Sequence, residues 1–128
     1  MILRLLLAAG LGAAIGFQRE RAAKAAGLRT HILIGSGAAL FTLVSIYGFS
    51  GAVDPSRVAA GVVAGVGFIG AGVIFRGMRG EGVAGITTAA SIWMTAAIGL
   101  AAGAGLYLIS AIATAIAMGV LMLPKIRG

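Results

Sequence analysis

Long apolar runs broken by short polar gaps set the pattern of this chain. Five apolar segments can be drawn, over about residues 2–17, 30–49, 57–75, 85–102 and 106–123. A helix that crosses the hydrocarbon of a bilayer needs roughly 17–25 residues at 1.5 Å each. The first segment is short, and becomes adequate if Arg4 and Gln18 lie at the two interfaces. Only "GAG", Gly103 to Gly105, separates the fourth segment from the fifth, which suits a tight helical hairpin. The segments leave no room for a soluble domain at either end. The pattern therefore predicts one all-α, polytopic transmembrane bundle of about five helices over residues 1–128.

Local signals refine the ends. "DPSR" reads as Asp54 at an N-cap and Pro55 at N1 of the third helix. Glu20 and Lys24 are spaced i,i+4 with the acid first, which extends the first helix into the loop. Gly27 is then placed to end that helix and Thr30 to cap the next. The start, "MILRLLLAAGLGAAIG", resembles a signal peptide. It has no clear small-x-small cleavage site, and its downstream flank is the more basic one. It reads as a retained first helix.

Composition agrees. The chain is 60% hydrophobic with 22 glycines, and its mean hydropathy is +1.10. Gly and Ala are poor strand formers and suit close helix contact in lipid. Without cysteine there are no disulfides, thiolate metal sites or thiol nucleophiles, and a single histidine excludes a multi-His metal site.

Charge sets orientation. The net charge is +7, and the basic residues sit in the gaps between apolar runs. Arg19, Arg21, Lys24, Arg29, Arg76, Arg79, Lys125 and Arg127 fall on one side, with Arg4 and Arg57 on the other. The positive-inside rule then puts the N-terminus outside and the C-terminus in the cytoplasm. Tyr47 and Tyr107 fall near the outer interface, where aromatic rings are favoured. A nucleic-acid partner is not expected, because no aromatic residues interleave with the basic ones.

Chemistry has few places to reside. The third segment, "AAGVVAGVGFIGAGVIFRG", carries Gly61, Gly65, Gly67, Gly70 and Gly72. These predict helix packing within or between chains, as do Gly12 and Gly16 in the first segment. The alternative is a broken helix whose carbonyls face an ion or water path. Its G-x-G-x-x-G run lies inside a membrane segment and is no dinucleotide loop. The fourth segment carries Thr87, Thr88, Ser91 and Thr95, the last three on one face. They bond to their own helix, bond across to another, or line a polar cavity. Trp93 is read as a large packing residue or a cavity wall. Of the three acids, Glu20, Asp54 and Glu81, none lies deep in an apolar run, where proton relays and cation pumps place them. Glu20, between Arg19 and Arg21, is the best of them for chemistry. Glu81 is read as balancing Arg79. His31 is read as an interfacial polar residue. Arg29 and Arg76 either clamp lipid phosphates or an anionic partner, or snorkel.

Taken in order, "GFQRE", "AGLRTH", "DPSRVAAG", "GVGFIGAGVI" and "GITTAASIWMTAAIGLAAGAGLY" resemble the MgtC/SapB family of bacterial inner-membrane proteins over residues 11–121. The resemblance implies a compact helical domain of the inner membrane, linked to magnesium limitation and survival in host cells. It also implies modulation of membrane partners such as ATP synthase or transporters. It singles out Arg19, Glu20, Gly27, Leu28, Arg29, Thr30, Gly70, Gly72, Thr87, Thr88 and Trp93. Three departures are visible: Gln18 stands where the family usually has Glu, Gly61 where it often has Gln, and the chain stops at Gly128 where larger members continue into a soluble domain.

The expectation is a non-enzymatic, multi-pass inner-membrane protein with no cofactor and an unknown metal preference. Its partners are the bilayer, anionic lipid at the cytoplasmic rim, a second copy of itself (a dimer favoured) and a membrane protein. The alternative is a small channel or transporter for Mg²⁺ or another ion, with a path between helices three and four.

Overall fold

The computed structural model describes residues 1–77 and 85–124 and contains five helices: α1 (Ile2–Arg21), α2 (Leu28–Tyr47), α3 (Ser56–Gly77), α4 (Ile86–Gly103) and α5 (Tyr107–Leu121). All regular structure among the described residues is helical. The first four helices are long and apolar enough to cross a membrane. α5 is apolar but shorter, at 15 residues or about 22 Å. Arg79, Glu81, Lys125 and Arg127, named from the sequence, lie outside the described residues, as does the side chain of Arg76.

The α1–α2 connection differs from expectation. α1 ends at Arg21, and its close is made by Ala23, which has φ of 58°. The Lys24 amide donates to the Arg19 carbonyl at 3.1 Å and the Ala23 amide to the Glu20 carbonyl at 3.0 Å. This is a Schellman closure with alanine at the left-handed position usually held by glycine. The i,i+4 spacing of Glu20 and Lys24 therefore does not carry the helix onward. Gly27 does not end α1 but stands at the N-cap of α2, and Thr30 lies inside the first turn. The cap itself is remote: Glu20 Oε1 accepts from the Leu28 amide at 3.0 Å.

Asp54 acts as expected. Its Oδ1 accepts from the Ser56 amide at 3.0 Å and from the Ser56 hydroxyl at 2.7 Å. Those bonds favour the ionised form and hold this carboxyl below its ordinary range.

α4 is the hub and touches each of the other helices. Its own span is 56% buried, against 11% for α3. Three stripes with helical spacing face the centre: Ala8, Gly12, Ile15 and Arg19 on α1; His31, Gly35, Ala38, Thr42 and Ser45 on α2; Thr88, Ser91, Thr95 and Ala102 on α4. Their small residues let the backbones meet. A Cβ on Gly12 would stand 2.5 Å from the His31 carbonyl oxygen, and one on Gly103 2.8 Å from that of Ala39. A Cβ on Gly99 would collide with the Gly35 carbonyl. Close packing in lipid is achieved by such contacts rather than by water exclusion.

α3 is held more loosely. Among its described glycines, Gly61 to Gly72, only Gly70 packs within the chain, with room for a Cβ 3.5 Å from that of Ala89. Gly61, Gly65, Gly67 and Gly72 meet nothing within 4 Å. The packing expected of these four is therefore not made inside one chain. The seam joining α1, α2 and α4 is built from glycines on those helices instead.

Candidate functional site

A polar seam runs through the middle of the bundle near the Gln18 end. Arg19 leaves the last turn of α1 and is only 3% exposed. Its Nη2 donates to Thr88 Oγ1 at 2.8 Å, in the first turn of α4. Its Nε is buried and has no hydrogen-bond partner among the described residues. One turn deeper, Ser91 Oγ stands 2.7 Å from the Thr88 carbonyl and 2.9 Å from His31 Nε2. His31 Nδ1 lies 2.8 Å from the Gly27 carbonyl oxygen. A carbonyl only accepts, so Nδ1 carries a proton. In the neutral ring Nε2 then accepts, and the single Ser91 proton serves either the ring or the Thr88 carbonyl at one time. Thr95 Oγ1 donates back to the Ser91 carbonyl at 2.7 Å. The seam thus ties α1, the start of α2 and α4 together.

His31 is wholly buried, so its reading as an interfacial residue is corrected. The signal was present: His31 opens the same stripe as Gly35, Ala38 and Thr42. Thr88, Ser91 and Thr95 share one face, and that face is turned to α1 and α2. It does not meet the open glycines of α3, so the two features proposed to line one ion path are not brought together. Thr87 is exposed, and so is Trp93, at 54%. Trp93 is therefore not a core packing residue.

At the surface of the Gln18 end, Glu20, Gly27, Arg29, Thr30 and Leu33 line a cavity of about 310 Å³. Arg29 is exposed and Thr30 half-buried, whereas Arg19 is inside the bundle and not part of any basic rim. Gln18 Nε2 donates to the Leu121 carbonyl at 3.3 Å, closing the end of α5, while its Oε1 is buried without a partner among the described residues. The opposite end is tied by Arg4, which sequence reading placed only as an interfacial charge. Its Nη1 donates to the Gly103 carbonyl at 3.1 Å and its Nε to the Tyr107 hydroxyl at 3.3 Å. Its guanidinium lies 5.6 Å from the centre of the Tyr47 ring. A cation at the C-terminus of α4 also complements the helix dipole. Among the described residues, no group of three or more His, Asp or Glu is placed to hold a metal ion.

Four membrane-length apolar helices around a buried polar seam define a multi-pass helical membrane protein. The sequence matches the MgtC family over residues 5–126, and the chain belongs to that family. It is 55% identical over 113 residues to a protein named "Putative magnesium transporter YhiD" from Escherichia coli K12, covering 83% of this chain and 52% of that one. It is 45% identical over 119 residues to Protein MgtC of Brucella abortus, covering 91% and 49%. It is 45% identical over 123 residues to Protein SrpB of Synechococcus elongatus, covering 87% and 67%. The chain spans about half the length of the first two relatives. No solved structure matches it.

Proposed function

We propose that this chain is a non-enzymatic domain of the bacterial inner membrane that binds and modulates another membrane-embedded chain, and that it self-associates as a dimer. The observation that carries this reading is the mismatch on α3. It is the most apolar of the four spans and the least buried. Ala60, Ala64, Gly67, Phe68, Ala71 and Phe75 form an exposed face on it that no other helix of the chain covers. Small residues beside large aromatic ones make a surface on which a second helix packs closely. Meanwhile the hydroxyls of Thr88, Ser91 and Thr95 on α4 make bonds inside the bundle. The exposed basic residues Arg21 and Lys24 give the Gln18 end an affinity for anionic lipid or an acidic partner segment.

Two measurements on reconstituted protein test this. Liposomes loaded with a Mg²⁺ indicator are expected to show no flux above empty vesicles; specific flux would favour the transporter reading. The chain has no cysteine, so Phe68→Cys introduces a single thiol. Oxidation in liposomes is expected to give a cross-linked dimer, and a monomer at all protein densities would refute self-association through α3.

A further inference from the structure

We propose that the chain holds one aminophospholipid, with an acyl tail in the groove between α2 and α3 and the headgroup between Glu20 and Arg29. The inference needs only that the chain lies in a bilayer, and stands apart from partner modulation. The groove has a volume of about 510 Å³, and Leu33, Phe41, Val58, Gly61, Gly65 and Ile69 are among its apolar lining. Leu33 also lines the polar cavity at the Gln18 end, so the two spaces adjoin. One end of the combined site is charged and the rest is apolar, which is the polarity of a lipid.

The length of the groove matches an acyl tail. From Leu33 to Phe41 the groove follows α2 for about 12 Å, and from Val58 to Ile69 it follows α3 for about 16 Å. Half the hydrocarbon core of a bilayer is about 15 Å. The groove is therefore about as long as an acyl tail, and it starts at Leu33, about 8 Å along α2 from Leu28, and reaches toward the start of α3. An extended acyl chain is thin enough to lie along the groove.

Charge chooses the headgroup. The polar cavity is lined by an acidic and a basic residue, Glu20 and Arg29. Glu20 Oε1 already accepts from the Leu28 amide, which fixes the carboxylate at the mouth. An ethanolamine ammonium donates N–H bonds to that carboxylate while the lipid phosphate meets Arg29 and the Thr30 hydroxyl. A glycerol headgroup leaves net negative charge facing Glu20. A choline headgroup has no N–H to donate.

Native mass spectrometry of the detergent-purified chain tests this, with dioleoyl phosphatidylethanolamine, phosphatidylcholine and phosphatidylglycerol supplied in equal amounts. Retention of the ethanolamine lipid is expected to exceed the other two by about tenfold, the effect of roughly one charge-assisted bond. Glu20→Gln keeps an acceptor for Leu28 but is expected to make the ethanolamine and choline lipids equal. Arg29→Gln is expected to weaken all three. Gly65→Leu is expected to exclude all three while still folding, because the space at its Cβ is open. Equal retention of the three lipids by the unaltered chain, or retention unchanged in Gly65→Leu, would overturn the proposal. So would a lipid-free dimer that Gly65→Leu dissociates, which would assign the groove to a second copy.

Discussion

Arg19 shows how one residue can join two helices. It carries a full charge into a place that is 3% exposed, and its anchor is a neutral hydroxyl at 2.8 Å. Hydrogen bonds to charged groups contribute roughly 1.5–3 kcal/mol, and their loss leaves a desolvated donor behind. Thr88→Val keeps the shape and removes the acceptor. It is expected to destabilise the bundle by about 1.5–3 kcal/mol, while Thr88→Ser restores most of the loss. Thermal unfolding in detergent, with all three proteins side by side, measures the difference; equal midpoints for valine and threonine would show that the bond contributes nothing. Sequence alone marked Arg19 and Thr88 as candidates but did not join them, because they are far apart along the chain and the pairing depends on how α1 meets α4.

At the scale of the element, the glycines separate into two kinds that look alike in sequence. Gly99 and Gly103 repeat the spacing of Gly61 and Gly65, yet only the first pair is pressed against another backbone. Gly99→Ala forces α4 away from α2 and is expected to cost about 1–3 kcal/mol, as overpacking does. Gly61→Ala meets open space and is expected to stabilise α3 by about 0.5–1 kcal/mol through helix propensity. The same unfolding assay distinguishes them, and equal shifts would contradict the packing described here. The helices themselves were legible, since their apolar runs are long and the gaps short. Their ends were less so. α1 closes on an alanine in the left-handed region, and α2 takes its cap from Glu20 across the turn. Neither device has a local sequence signature.

For the whole molecule, orientation follows from where the cations are. α1 and α5 run parallel, tied by Arg4 to Tyr107 at one end and Gln18 to Leu121 at the other. Arg21, Lys24 and Arg29 are exposed at the Gln18 end. By the positive-inside rule that end is expected to face the cytoplasm. A fluorescent protein fused after Leu123 is expected to fluoresce in cells, and a periplasmic alkaline phosphatase fused there to be inactive; the reverse pattern would invert the topology.

Sequence by itself determined that the chain is a bundle of about five apolar helices suited to a bilayer, and that it belongs to the MgtC family; that only the first four are long enough to cross was decided by the structure. Those properties rest on composition, run length and ordered motifs, all carried locally along the chain. Tertiary structure decided which small residues are buried, which polar groups pair and which face of α3 is left open. His31, Arg19 and the hydroxyls of α4 form a seam only because α1, α2 and α4 approach closely enough for their backbones to touch. The glycines of α3 lie outside that contact, so the same residue type closes a bundle in one helix and leaves a groove beside another.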